Sequence, residues 1–317
     1  MRILLVKTTS LGDVIHNLPV ASDIRRVFPQ AEIDWVVEEN FAELPRLHPA
    51  VRRVLPVAVR RWRKALLAPA TWREIGKYRR LASADFYDAV IDTQGLVKSA
   101  LIATQAHGQR YGYSAAVARE PLAARLYDRC FAIPRNQHAV VRNRQLAAAA
   151  LGYALDDLPL YYGIAAPPLA APWLPAEPYA VLLTATSRTD KEWPEAHWLA
   201  LAAALNAAGL RCVLPGGSAS ERARAVRLAQ GMASAIAAPA MNLTDLAGLL
   251  AGARVVIGVD TGLVHLAAAL QRPTVALYSA SDPALTGVLA GDNCVNLGSI
   301  GTPPDTTEVV HVALQLL

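Results

Sequence analysis

The stretch from Val255 to Leu270, VVIGVDTGLVHLAAAL, constrains the fold more than any other part of the chain. An apolar, β-branched run stops at Asp260-Thr261-Gly262 and passes at once into a helical pattern. A small residue at such a junction leaves the first N–H groups of the helix unpaired at the positive end of its dipole, which is a geometry that binds phosphate. A second strand–loop–helix junction opens the chain: Ile3 to Val6, then Lys7-Thr8-Thr9-Ser10-Leu11-Gly12-Asp13, then Val14 to Leu18. Two such junctions near opposite ends predict two α/β domains facing each other across a central cleft.

At 317 residues the chain exceeds what one hydrophobic core usually serves, which agrees with two domains. Strand patterns are expected at 3–6, 33–37, 53–56 and 89–92, and again at 179–183, 211–214, 235–238, 254–259 and 274–277. Helical patterns fall between them, near 13–27, 71–83, 96–105 and 138–151, then 195–208, 219–230, 243–251 and 263–270. Strands alternating with helices require doubly wound parallel sheets. Pro159, Pro167, Pro168, Pro172, Pro175 and Pro178 crowd a segment without periodicity. The expected organisation is therefore a domain at 1–158, a proline-rich linker at 159–178 and a second domain at 179–317, whose C-terminal helix is free to pack back on the first. The two openings are alike in layout but not in sequence, so no internal repeat is expected.

Charge is uneven. Residues 1–158 carry 23 Lys and Arg against 15 Asp and Glu, a balance of +8, while 159–317 carry 8 against 11, a balance of −3. The densest cluster is Arg60-Arg61-Trp62-Arg63-Lys64, followed by Arg73, Lys77, Arg79 and Arg80. That pattern suits an anionic surface or substrate, and an ordinary solvated face is the plain alternative. No helix-turn-helix, RNA-binding or zinc signature accompanies the charge, so nucleic acid is not the expected partner. No apolar run reaches the roughly 18 residues a membrane span needs, and Ile3 to Val6 is far short of a secretory signal, so a cytoplasmic location is expected. Cys130, Cys212 and Cys294 have no metal-ligand spacing and read as buried small residues.

Several residues are candidates for chemistry. Asp13 follows Gly12 at the first junction, where a carboxylate serves either as a general base at the mouth of the cleft or simply as a first-turn acid favoured by the dipole. The loop Thr184 to Pro194 supplies the hydroxyls of Thr186 and Ser187 and the ammonium of Lys191, suited to a diphosphate and to the charge that grows on a departing group. A plain surface loop is the alternative. His265 lies in the first turn after Gly262, able to donate to a phosphate or sugar oxygen or to sit as a polar core residue. Nothing has metal-ligand spacing, and both the Gly-x-Gly-x-x-Gly fingerprint and the Walker A loop are missing.

Lys7–Val14, Asp34–Glu39, Val59–Lys64, Tyr87–Ser99 (YDAVIDTQGLVKS), Ala118–Ala123 and Val259–Gly262 together resemble the heptosyltransferases of glycosyltransferase family 9 nearly end to end. The resemblance implies a GT-B fold of two Rossmann-like domains. It implies inverting, metal-independent transfer of L-glycero-D-manno-heptose from ADP-heptose to the first Kdo of Kdo2-lipid A, at the cytoplasmic face of the inner membrane. No cofactor is implied. Carried over position by position, Asp13 is the base and Lys191 the second catalytic group. Thr186, Ser187, Lys191, Glu221, Met241, Asp260, Thr261, Gly262 and His265 hold the donor. From their charge and their place in the first domain, Lys7, Arg60, Arg61, Arg63, Lys64 and Arg119 are expected to hold the anionic acceptor. The family usually has threonine where Ser187 stands, and the hydroxyl is retained. Two alternatives remain: a family 9 enzyme of the heptosyltransferase II type acting one step later, and a non-catalytic nucleotide-sugar binder at the membrane surface, which has no need of Asp13.

Overall fold

The computed structural model describes residues 1–186 and 188–317, so the expectation for Ser187 lies outside the described residues. The chain forms two compact units, Met1–Ile164 and Ala165–Leu317.

In the first unit, strands β1 (Arg2–Val6), β2 (Glu32–Glu38), β3 (Val51–Val57), β4 (Phe86–Asp92), β5 (His107–Tyr113) and β6 (Arg129–Phe131) build one sheet. Its order is β3-β2-β1-β4-β5-β6, and every neighbouring pair is parallel. Ile3, Leu4, Leu5 and Val6 are wholly buried, as expected of a central strand covered on both faces. The helices are α1 (Leu11–Ile15), α2 (Leu18–Val27), α3 (Glu43–Arg46), α4 (Val59–Trp62), α5 (Pro69–Ala82), α6 (Val97–Ala103) and α7 (Ala139–Leu151). The single helix expected near 13–27 is in fact two. Pro19, in the first turn of α2, has no N–H, and its ring would collide with the carbonyl of residue 15 in a continuous helix.

The second unit repeats the plan without repeating the sequence. Strands β7 (Tyr179–Leu183), β8 (Arg211–Leu214), β9 (Ala235–Ala237), β10 (Val255–Val259), β11 (Thr274–Tyr278) and β12 (Cys294–Gly298) lie in the order β12-β11-β10-β7-β8-β9, again all parallel. Its helices are α8 (Glu195–Ala207), α9 (Ala219–Gln230), α10 (Leu243–Gly252), α11 (Gly262–Ala269), α12 (Pro283–Thr286) and α13 (Thr306–Gln315), the last packed on α8 and β11. Trp193, Trp198, Leu201 and Leu205 fill the core beneath α8 with β-strand residues such as Leu182 and Ile257.

Strands β5, β6 and β12 were not expected from the sequence. β5, HGQRYGY, is buried only in its C-terminal half, and β6 and β12 close sheet edges, so none shows the apolar run of a central strand.

In both units the strand order reverses beside the first strand, between β1 and β4 and between β7 and β10. Loops leaving the carboxyl ends of those strands diverge and open a crevice, which is where doubly wound sheets place their ligands.

One buried histidine pins the outer part of the first unit. His48 Nε2 lies 2.9 Å from Ser22 Oγ on α2, and the Ala50 amide donates to Nδ1 at 3.1 Å, so Nε2 carries the proton and the ring is neutral. Burial, with a smaller push from Arg25, lowers its pKa to about 4. Gly163 packs so tightly on this pair, at φ +70°, that a Cβ there would stand 2.3 Å from His48 Nε2. A cavity of about 790 Å³ lies alongside, and none of the expected site residues lines it.

Candidate active site

In the first unit β1 ends at Val6, and the chain leaves the sheet through Lys7-Thr8-Thr9-Ser10 before α1 begins. Asp13 occupies the third position of α1 and closes a capping box with Ser10. The Ser10 amide donates to Asp13 Oδ2 at 2.8 Å and the Ser10 hydroxyl to the same oxygen at 3.0 Å. Asp13 thus makes the cap that the plain reading expected. Both bonds fall on Oδ2, so among the described residues Oδ1 keeps its capacity to accept a proton.

Lys7 is buried beneath this loop. Its ammonium donates to the Thr93 carbonyl at 2.8 Å and to Asn143 Oδ1 at 3.5 Å. Burial pushes it below the usual lysine value, while Asp13 and Asp92 pull it up and Arg119 adds to the depression. The Lys7 side chain thus lies within the protein and spends its donors on protein groups.

The basic residues divide. Arg61 is ion-paired with Glu39 and Glu74, both at 2.9 Å. Arg60, Arg63, Lys64 and Arg119 are exposed, and Arg60 uses only its backbone amide, bonded at 3.0 Å to Glu38 Oε1. Lys98, which sequence reasoning did not single out, donates to Thr9 Oγ1 at 3.2 Å. Burial lowers the Lys98 pKa, Glu38 and Glu120 raise it, and Arg60 and Arg63 lower it further. Lys98 thus touches the Thr9–Asp13 loop, with Arg60 and Arg63 close enough to Lys98, and Arg119 close enough to Lys7, to be felt electrostatically. Lys98 was findable as the first basic residue after β4, the strand next to β1.

In the second unit the loops after β7 and β10 bring Lys191 to Asp260. Lys191 Nζ donates to Asp260 Oδ2 at 2.5 Å, Ser281 Oγ donates to the same oxygen, and His265 Nε2 stands 3.8 Å from Oδ1. Thr186 Oγ1 donates to the Asp260 carbonyl at 3.2 Å. Burial alone would push the Asp260 carboxyl up, but the nearby His265 ring and the hydrogen bonds from Lys191 and Ser281 outweigh it and hold the group well below the usual carboxylate range. Thr261 is the N-cap of α11 in extended conformation and makes no side-chain cap, so among the described residues the amides of Gly262 and Leu263 have no hydrogen-bond partner and face the helix mouth, where an anion fits. Ser281, which follows β11, was missed by the sequence reading because nothing local marks it.

Glu221 and Met241 follow β8 and β9, the next strands along the same sheet edge. Glu221 Oε2 accepts from the amides of Gly217 at 2.8 Å and Ser218 at 3.0 Å, which fixes the start of α9. Met241 is half-buried just before the N-cap of α10. No hydrogen bond among the described residues ties either one to the Lys191–Asp260 pair. Nor do three His, Cys, Asp or Glu side chains gather there in a metal-binding group, and no helix among those residues is long and apolar enough to cross a membrane.

The family model described as Glycosyltransferase family 9 (heptosyltransferase) matches residues 75–310. The chain belongs to glycosyltransferase family 9. It is similar to lipopolysaccharide heptosyltransferase 1 of Salmonella typhimurium, 49% identical over 288 residues that cover 90% of this chain and 91% of that protein. Its identity to lipopolysaccharide heptosyltransferase 1 of Pseudomonas aeruginosa is also 49%, over 304 residues covering 94% and 84% of the two chains. The solved structure of E. coli heptosyltransferase WaaC with ADP superposes with a TM-score of 0.92 at 44% identity, covering 100% of each chain. As a family 9 member the protein is a glycosyltransferase, and its two parallel six-stranded sheets with flanking helices are those of the GT-B class.

Proposed function

We propose that the protein transfers L-glycero-D-manno-heptose from ADP-heptose to the first Kdo of Kdo2-lipid A, with inversion and without a metal. The carrying observation is the pair of loops at the two strand-order reversals: a carboxylate with one uncommitted oxygen after β1, and a lysine beside an uncapped helix N-terminus after β7 and β10. The names of the relatives, lipopolysaccharide heptosyltransferase 1, support heptose as the transferred sugar.

In this reading Asp13 takes the proton from a Kdo hydroxyl as that oxygen attacks the anomeric carbon from the face opposite the nucleotide. The bond from the anomeric carbon to the phosphate oxygen breaks and ADP leaves with the electron pair. Its added charge is met by Lys191 and by the α11 amides at Gly262. Thr186, Ser187, Thr261 and His265 contact the diphosphate and heptose, and Glu221 and Met241 the nucleoside. Arg60, Arg63, Lys64 and Arg119 attract the phosphates and carboxylates of the acceptor, and Arg61 joins them by exchanging Glu39 or Glu74. Lys7 serves the acceptor side by countering the Asp13 charge from below. The +8 balance of residues 1–158 suits peripheral work on an anionic glycolipid at the cytoplasmic face of the inner membrane.

Mass spectrometry after incubation with ADP-heptose and either Kdo2-lipid A or its monoheptosylated product tests this. Addition of one heptosyl unit to Kdo2-lipid A alone is expected. Addition only to the monoheptosylated product would assign the later step, and addition to neither would favour a non-catalytic binder.

A further inference from the structure

We infer that Gln94 is the positioning residue for the Asp13 carboxylate, clamping the loop between β1 and α1 from the neighbouring strand. The inference rests on the reading of Asp13 as the base.

Gln94 is buried just past the end of β4, 6% exposed. Its own place is secured by Asp92, whose Oδ1 accepts from the amides of Gln94 at 2.8 Å and Gly95 at 3.3 Å. Asp92 Oδ2 in turn accepts from Ser99 Oγ and from the Tyr127 hydroxyl, each at 2.7 Å. The carboxamide then reaches two residues of the other loop with both its acceptor and its donor end. Oε1 accepts from the amides of Thr8 at 2.9 Å and Thr9 at 3.2 Å, and Nε2 donates to the Thr9 carbonyl at 2.6 Å.

Once β1 has left the sheet, those amides have no strand partner, and a carboxamide is the side chain that both accepts and donates in one plane, as a peptide group does. Lys98 holds the same Thr9 by its hydroxyl. The clamped segment runs straight into Ser10, whose amide and hydroxyl fix Asp13 Oδ2. A relay therefore runs from Asp92 through Gln94 and Thr8-Thr9 to Ser10 and Asp13. A general base displaced by about 1 Å loses on the order of 10²-fold in rate, so a loose clamp is read out in turnover.

The test is a cycle of Gln94→Met, Asp13→Ala and the double variant in the full-length protein, followed by mass-spectrometric turnover, calorimetry with ADP-heptose and thermal melting. Gln94→Met is expected to lower kcat about 10- to 100-fold with acceptor KM and ADP-heptose affinity changed less than about threefold, and to lower the residual rate of Asp13→Ala by less than about twofold. Gln94→Glu, which keeps both acceptor bonds but turns a carboxyl oxygen toward the Thr9 carbonyl, should lower kcat at least as far as Gln94→Met and serves if Gln94→Met does not fold. Equal losses in the Asp13 and Ala backgrounds would make Gln94 a general support of the fold and overturn the inference. So would unchanged turnover of Gln94→Met beside a crippled Asp13→Ala, which leaves the base reading standing. Near-normal turnover of Asp13→Ala alone would remove the base reading itself, and this inference with it.

Discussion

Lys191 and Asp260, 69 residues apart in sequence, meet at 2.5 Å at the N-terminus of α11. The pair is partly buried, and Asp260 also receives the Ser281 hydroxyl and has His265 3.8 Å away, so the ammonium is held at the mouth of the helix. The neighbouring carboxylate both orients the ammonium and keeps it from being an unpaired buried charge, and in the proposed reading that oriented group meets the diphosphate.

Lys191→Ala should therefore weaken ADP-heptose binding and slow transfer together. A hydrogen bond between charged partners contributes about 1.5–3 kcal/mol, or roughly 10- to 100-fold in affinity, and the effect on kcat/KM should be larger because ADP is more negative as it leaves. Calorimetry with steady-state kinetics measures both. EDTA should leave the wild-type rate unchanged, and strong inhibition reversed by magnesium would mean that a metal carries the leaving group.

Asp13→Ala should lower turnover by about 10²- to 10⁴-fold while ADP-heptose affinity stays within error, since the residues proposed to hold the donor all lie in the second unit. Asp13→Asn is the shape control, because its carbonyl oxygen still accepts the two Ser10 bonds. A fully active Asp13→Asn would reduce the residue to its capping role.

Replacing Arg60 and Arg63 with glutamine should raise the acceptor KM and flatten its dependence on ionic strength, as screened long-range attraction is the quantity removed. Arg61→Gln should do less to KM and more to stability, because it strands Glu39 and Glu74, each 2.9 Å from its guanidinium. Kinetics at two salt concentrations alongside thermal melts separate the two effects. Equal KM changes from both sets would show that Arg61 exchanges its partners freely.

His48 sets a pH window for stability. Its folded pKa is lowered to about 4 against an ordinary value of 6.5, so its contribution is fully present above pH 6.5 and is lost as the pH falls toward 4. The loss should reach on the order of 2–3 kcal/mol, with unfolding free energy rising by up to one proton's slope between those limits. Urea denaturation across the window should show this slope, and His48→Gln should flatten it. An unchanged slope in His48→Gln would assign the pH dependence elsewhere.

Much of this molecule was readable from local pattern. The central strands at 3–6, 179–183 and 255–259 are unbroken apolar runs because both sheet faces are covered, and the helices at 195–207 and 219–230 fall where periodicity put them. Asp13, Lys191 and the Asp260-Thr261-Gly262 junction stood out because they sit where a strand gives way to a helix, which composition alone can mark. The outer strands β5 and β6 escaped notice because a half-exposed strand loses the apolar signal. Pro19 was legible in principle as a helix break, and only the broken α1–α2 junction made its weight plain.

The sequence by itself determined the two α/β units, the loops that carry the candidate chemistry and the side chains on them, since periodicity and junction residues are local properties. Only the tertiary structure decided which of those side chains meet. The reversal of strand order laid β4 beside β1 and β10 beside β7, and so joined Gln94 to Thr8 and Thr9 across 86 and 85 residues, and Lys191 to Asp260 across 69. Contacts of that span are set by how sheets wind, and no window of neighbouring residues contains them.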